Sequence, residues 1–354
     1  MKITHIHIER FRGFQNEDFE VGSLLTAIAG QNGTQKSTLL GIITQTFTLK
    51  TEDSMRVEKP LCGGSYISAF KDKFRLSPTF DKPKGHEWTI SFDAGMDDFT
   101  VESIKRTGDP NVRFWKKGAR QEGDGYISFP TIFLSLKRLV PVAEEAKIIT
   151  DDTLLTQEEL NEFKQLHNKI LIAQTPISSA TTITSKNKQS IGVSTELYDW
   201  NQNSMGQDNL GKIILALFSF KRLHDKYPRQ YKGGILAIDE MDATMYPASQ
   251  VELLKVLRKY ASKLNLQILF TTHSMSLLKA MDDLVQEVTK KEETANQAKI
   301  LYLKKVDDKI AIKQGVNFKG IQLDLNVVAE GNNRKKNRIT AYTEDKENIL
   351  WDVL

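Results

Sequence analysis

One cysteine, Cys62, in 354 residues excludes an internal disulfide and any cysteine-clustered zinc site, and reads as a small core or loop residue in a reducing compartment. Long apolar runs are missing too. The longest, residues 213–220, is too short to cross a bilayer, and the opening residues alternate like a strand rather than forming the apolar core of a signal peptide. A cytoplasmic protein with no membrane partner is therefore expected. Charge of one sign is also scarce. The 49 Lys and Arg stand against 45 Asp and Glu, and the net +4 does not by itself argue for nucleic-acid binding. Basic clusters at 71–75, 113–117 and 332–338 read first as solvated faces or loops. The second interleaves Phe114 and Trp115 with its bases, the composition of a surface on which nucleotide bases stack.

With 40% hydrophobic and 27% charged residues, the chain can bury a large core in one large or two modest domains. Its most informative stretch is Gly30-Gln31-Asn32-Gly33-Thr34-Gln35-Lys36-Ser37-Thr38. An apolar run, 24–29, precedes it as a buried strand, and 39–43 follows as a helix start, the context of a phosphate-binding loop. In such a loop the backbone N–H groups face phosphate, Lys36 reaches the β/γ oxygens and Ser37 offers its hydroxyl to Mg²⁺. Gln35 stands where a glycine is usual, and a left-handed Gln costs about 1–2 kcal/mol. An ordinary glycine-rich turn is the competing reading.

Downstream, residues 233–240 form a glycine turn, an apolar run and two acids, Asp239 and Glu240. Carboxylates at the C-terminal end of a central parallel strand lie where open α/β sheets place ligands. There Asp239 holds Mg²⁺ and Glu240 polarises the attacking water; alternatively the pair caps the next helix. Residues 266–272 make a similar strand ending at His273, which would bring that ring near the γ-phosphate beside Glu240. Ser204, Gly206 and Gln207 open an amphipathic helix whose free N–H groups favour an anion, or simply cap it.

In this order the four elements resemble the ATP-binding-cassette class of P-loop ATPases, with Walker A at 30–37, signature at 204–207, Walker B at 235–240 and switch histidine His273. The opening strand with Phe11-Arg12-Gly13-Phe14 is similar to the soluble SMC-like, RecF-like and OLD-like members. Residues 239–247 are similar to the D-E-x-D-x-x-L-H-P pattern of OLD and Septu anti-phage ATPases. The resemblance implies an α/β ABC-type ATPase head with an antiparallel β flank and a short helical insertion, using ATP and Mg²⁺. It implies a catalytic set of Lys36, Glu240 and His273, a metal pair Ser37 and Asp239, and Asp242 as the D-loop aspartate. Ser204, Gly206 and Gln207 would act in trans, in a homodimer or an oligomer of dimers. Gln45 matches the Q-loop glutamine by position only, and Arg138 is a candidate for nucleotide or interface contact. The implied output is control of a nuclease domain or partner protein in anti-phage defence, with DNA a further partner. A nucleotide-sensing scaffold with little turnover and a RecF-like repair ATPase are the alternatives.

Along the chain, 86–135 alternates as an antiparallel layer closed by 127–134. From 144 to 173 the pattern is helical, with Leu160, Phe163, Leu166 and Ile170 on one stripe. Residues 175–195 read as an exposed Ser/Thr/Lys-rich loop. Together they make an insertion at about 144–200, too short for a coiled-coil arm. A hairpin is expected over 298–314, with Ile300 and Tyr302 opposite Ile310 and Ile312. The head is expected to span 1–330. Residues 331–354 extend it with a strand and helix in which Glu344 resembles the first glutamate of a TOPRIM nuclease; such a site also needs a later cluster of aspartates to bind Mg²⁺, and none follows in this sequence, so the chain alone is expected to lack nuclease activity.

Overall fold

A computed structural model describes residues 1–66, 70–93, 95–105, 112–118, 125–139, 148–151, 154–185 and 189–331. The chain runs β1 (Ile3–Phe11), β2 (Phe14–Glu20), β3 (Leu25–Gly30), α1 (Lys36–Thr44), β4 (Phe47–Thr48), α2 (Phe70–Lys73), β5 (Glu87–Phe92), β6 (Phe99–Lys105), β7 (Val112–Lys116), β8 (Ile127–Ser128) and β9 (Thr131–Leu134). It continues through β10 (Ile149–Asp151), α3 (Gln157–Leu171), β11 (Ser179–Thr184), β12 (Gln189–Ser194), α4 (Met205–Lys226), β13 (Gly234–Ile238) and α5 (Pro247–Lys263). Then come β14 (Leu266–Thr272), α6 (Met275–Val288), β15 (Ala298–Val306), β16 (Lys309–Lys313) and α7 (Phe318–Gly331). Two compact units divide it, Met1–Phe318 and Lys319–Leu354, and α7 from Lys319 onward is the described part of the second. Among the described residues no helix is long and apolar enough to cross a membrane.

A six-stranded sheet in the order β16-β15-β3-β14-β13-β9 carries the site. Its inner strands β3, β13 and β14 are buried along their whole length, which is why they read as continuous apolar runs rather than alternating ones. Alternate residues serve two faces. Ile28, Ile235, Ala237 and Leu269 share a core with α1 and the second sheet, β2-β1-β5-β6-β7, while α5 and α6 pack on β14 and β15. The second sheet is antiparallel throughout, and β5 and β6 alternate buried and part-exposed residues as a half-buried sheet must. Gln267, 1% exposed, ties the layers together by accepting from Ile3 N at 2.7 Å and donating to Ile3 O and Gly22 O.

Several expectations change. Residues 127–134 do not close the antiparallel layer: β8 pairs with β4, and β9 joins the parallel sheet beside β13. The expected loop at 175–195 is largely the hairpin β11–β12, completed by β10 into a three-stranded sheet. Within the expected helix from 144, residues 149–151 are β10, and α3 starts at Gln157 behind a Thr156–Glu159 capping box. In the β15–β16 hairpin Ile312 faces Leu303 and Ile310 faces Lys305, not the expected Ile300 and Tyr302. Phe114 is no stacking platform, because it is 5% exposed and packs on Phe11, Phe70, Phe74 and Trp88. The turn at 108–110, the 332–338 cluster and Glu344 lie outside the described residues.

Candidate active site

Strand β3 ends at Gly30, and the loop 31–35 delivers the chain into α1. Gln35 adopts the left-handed conformation, φ 62°, at the N-cap of α1, so the loop takes the backbone a glycine would supply. Its side chain lies against the β1–β2 turn. A Cβ on Gly13 would sit 2.9 Å from Gln35 Nε2 and 2.7 Å from Ile310, so only glycine leaves room there for the carboxamide. Within the loop, Thr34 Oγ1 donates to Gln31 O at 2.8 Å, and Asn32 and Gly33 at its tip are exposed. Lys36, 7% exposed, donates from Nζ to Gly30 O at 3.0 Å and Gln31 O at 2.9 Å. Burial lowers its pKa, opposed by the charges of Glu240, Asp239 and Asp242. Ser37 and Thr38 follow on the first turn of α1.

The parallel register brings the ends of β3, β13 and β14 together. Ser37 Oγ donates to Asp239 Oδ1 at 2.8 Å, and Thr271 Oγ1 donates to the same oxygen at 2.7 Å. The Thr271 hydroxyl also accepts from Glu240 N at 2.6 Å, so one buried side chain sets both acids. Glu240 is left-handed, φ 50°, a conformation that persists only where neighbours hold it. Its carbonyl is held by Arg138 Nη2 at 2.8 Å. The helix-capping alternative for this pair fails, because the N-cap of α5 is Tyr246.

Asp242 accepts at Oδ2 from His273 N at 3.4 Å, placing the D-loop against the switch segment. Partial burial and then the Lys36 charge lower the His273 pKa, which favours the neutral ring. Gln250 braces the same corner, donating to Asp242 O and Met245 O and accepting from Ser274 Oγ at 2.5 Å.

Ser204 caps α4 in a reciprocal box: its Oγ accepts from Gln207 N at 3.3 Å, and Gln207 Oε1 accepts from Ser204 N at 2.8 Å. Gln207 Nε2 donates to Tyr198 Oη at 2.7 Å. Gly206 is pressed on the D-loop, where a Cβ would lie 2.5 Å from Thr244 O. Among the described residues, the side-chain bonds of Ser204 and Gln207 go to each other's backbone and to Tyr198, and none goes to residues 30–38. The structure thus brings together Lys36, Ser37, Asp239, Glu240, Asp242 and His273, and leaves Ser204 exposed at the N-cap of α4. Gln45 does not join them. It ends α1, about 14 Å along the helix axis from Lys36, 2% exposed and hydrogen-bonded to Tyr126.

Among the described residues no group of three or more His, Cys, Asp or Glu side chains is set to hold a metal. A hydroxyl and a carboxylate, Ser37 and Asp239, are oxygen donors of the kind Mg²⁺ takes alongside substrate phosphate. Sequence reasoning missed Thr271, Asn209 and Gln250. Their only signal is a polar residue inside an apolar strand or stripe.

Residues 1–190 and 134–278 match the family described as AAA ATPase domain. No curated protein matches the chain. Among solved structures, an SMC head bound to the C-winged-helix domain of ScpA is 13% identical, covers 91% of this chain and 100% of its own, and superposes with a TM-score of 0.51. The SMC head domain from Thermotoga maritima is 14% identical over 89% of this chain and 100% of its own, TM-score 0.48. The likeness at a TM-score of 0.51 shows the fold, that of a P-loop head of the SMC kind, and by its family match the chain belongs to the AAA ATPase domain family and is an ATPase.

Proposed function

We propose that this head binds ATP·Mg²⁺ at residues 30–38 and hydrolyses it in a composite site completed by Ser204, Gly206 and Gln207 of a second copy. The supporting observation is the divided site: Lys36, Ser37, Asp239, Glu240 and His273 converge within one head, while the signature serine at the N-cap of α4 is exposed to solvent. The isologous pairing of two heads gives two equal sites.

Lys36 and the loop amides hold the β/γ phosphates. Ser37 and Asp239 would hold Mg²⁺, which when bound neutralises phosphate charge. Glu240 orients the lytic water and takes its proton as the oxygen attacks the γ-phosphorus and ADP leaves. Neutral His273 contacts the γ-phosphate, and Asp242 links the switch segment to the D-loop. Gln35 is accommodated in the loop, which favours turnover over the scaffold reading. The Asp239-Glu240-Met241-Asp242 pattern running to Pro247 supports the OLD/Septu reading, in which hydrolysis controls a nuclease domain or partner protein in cytoplasmic anti-phage defence. This last step is analogy from pattern.

Hydrolysis measured against protein concentration tests the divided site. The rate per head rises with concentration until the heads pair, and a rate independent of concentration across the monomer–dimer range contradicts the proposal.

A further inference from the structure

We infer that Arg138 is a positioning residue that couples the signature helix of each head to its own Glu240. The inference rests on the reading above, in which Glu240 acts on the lytic water and Ser204 meets the second head's nucleotide.

Arg138 lies on the 3-10 turn Leu136–Leu139 that follows β9, the edge strand beside β13, and is 3% exposed. Its guanidinium fork spans three pieces of the site. Nη1 donates to Leu134 O and Ser135 O at 3.1 Å each, anchoring it to its own strand end. Nη2 donates to Glu240 O at 2.8 Å, and Nε donates to Asn209 Oδ1 at 2.7 Å. Burial lowers its pKa to about 10, opposed by Asp239, Glu240 and Asp242, so it carries its charge at neutral pH. Burying a cation is costly, and filling the space would need only an apolar side chain. A planar fork that fixes several acceptors at once supplies geometry that no apolar group can.

Asn209 is the other half of the device. It is fully buried in α4, just past the Ser204 cap, and its Nδ2 donates to Ala243 O in the D-loop at 3.0 Å. Gly206, closer to the cap, abuts Thr244 O. A displacement of the α4 tip therefore passes through Asn209 to both the D-loop and Arg138. From Arg138 it reaches the carbonyl of a strained residue whose N–H is already pinned to Thr271. With both flanking peptides held, the direction in which the Glu240 side chain leaves the backbone is set by these two contacts. When a second head's phosphate meets Ser204, the same contacts transmit the event to Glu240, so each head reports on the site it completes for its partner.

The test uses Arg138→Ala, Arg138→Lys, Asn209→Ala and the Arg138→Ala/Asn209→Ala double variant, with Glu240→Gln as reference. Each is assayed for kcat, ATP affinity and thermal unfolding. Misplacing a catalytic group by about 1 Å costs up to ~10²-fold, so kcat should fall about 10- to 100-fold in each single variant. ATP affinity should stay within about threefold, the pattern of a lost transition-state interaction rather than lost binding. Acting through one chain of contacts, the double variant should be no slower than the slower single. Asn209→Ala leaves the other Arg138 bonds in place and carries the test if Arg138→Ala does not fold. Wild-type kcat in a folded Arg138 or Asn209 variant, beside an inactive Glu240→Gln, overturns the coupling and leaves the function standing. So do losses that multiply in the double variant. Wild-type hydrolysis by Glu240→Gln overturns both.

Discussion

The two halves of the proposed site are finished to different degrees. On the phosphate-loop side the groups are tied to one another within the chain: Lys36 to loop carbonyls, Ser37 and Thr271 to Asp239, and the Glu240 backbone to Thr271 and Arg138. The signature side ends in solvent. Ser204 is exposed, and around it Met205 is 46%, Leu197 79% and Tyr246 83% exposed. The first half is preorganised to stabilise charge that develops during reaction. The second is an edge whose polar and apolar groups fit a surface supplied from outside. On the proposed reading the head is a half-site, and its activity should respond to whatever brings a second half-site near.

The largest effect should come from the finished half. General-base contributions are typically ~10²–10⁴-fold, so Glu240→Gln should slow hydrolysis by about that factor while ATP-dependent dimers persist, as read by light scattering. Hydrolysis at the wild-type rate would remove Glu240 from its role.

The unfinished half should be the acid-sensitive one. His167 on α3 is 2% exposed, stacks on Phe163, and has its pKa lowered to about 4 by burial. Helix α3 packs on α4, where Arg222 pairs with Glu159 and Lys221 with Glu162. The folded state therefore resists protonation that the unfolded chain accepts near pH 6.5. Stability is lost as pH falls from there toward 4, by about 3 kcal/mol from this group. Urea unfolding at pH 7.0 and 4.5 should show a smaller drop for His167→Leu than for wild type, and equal drops would contradict the assignment.

The smallest effect concerns Gln35. Its left-handed backbone costs about 1–2 kcal/mol, and its side chain is taken up by the Gly13 turn. Gln35→Gly should change turnover only a few-fold, an effect near the lower end of what about 1 kcal/mol gives. Calorimetry showing ATP binding by the glycine variant but none by wild type would mean the loop is closed to nucleotide.

What the sequence made legible follows the range of the interactions involved. The loop, β13, β14 and the cap of α4 were readable because each is a local pattern: an apolar run, a glycine turn, a capping serine. Strand β9 was misassigned to the antiparallel layer because Thr131, Ile132, Phe133 and Leu134 carry no signal of direction, and their partner β13 lies about a hundred residues on. The β11–β12 hairpin was read as a loop because its Ser and Thr content resembles a linker, although Thr182, Ile183, Ile191 and Val193 are buried. Thr271, Asn209 and Gln250 draw their meaning wholly from tertiary hydrogen bonds, so only the folded chain distinguishes them from ordinary polar residues. The Q-loop assignment of Gln45 failed for a related reason, since sequence distance from the loop says nothing about which end of α1 faces the carboxylates.

The central claim is that the unfinished half completes another head. Ser204→Arg protein keeps an intact phosphate-loop half, and Lys36→Ala protein keeps an intact signature half, and each alone should be nearly inactive. Mixed across a range of ratios, they should recover hydrolysis with a maximum near equal amounts, because each heterodimer assembles one intact composite site. No recovery at any ratio, with both proteins folded and associating, would contradict the account.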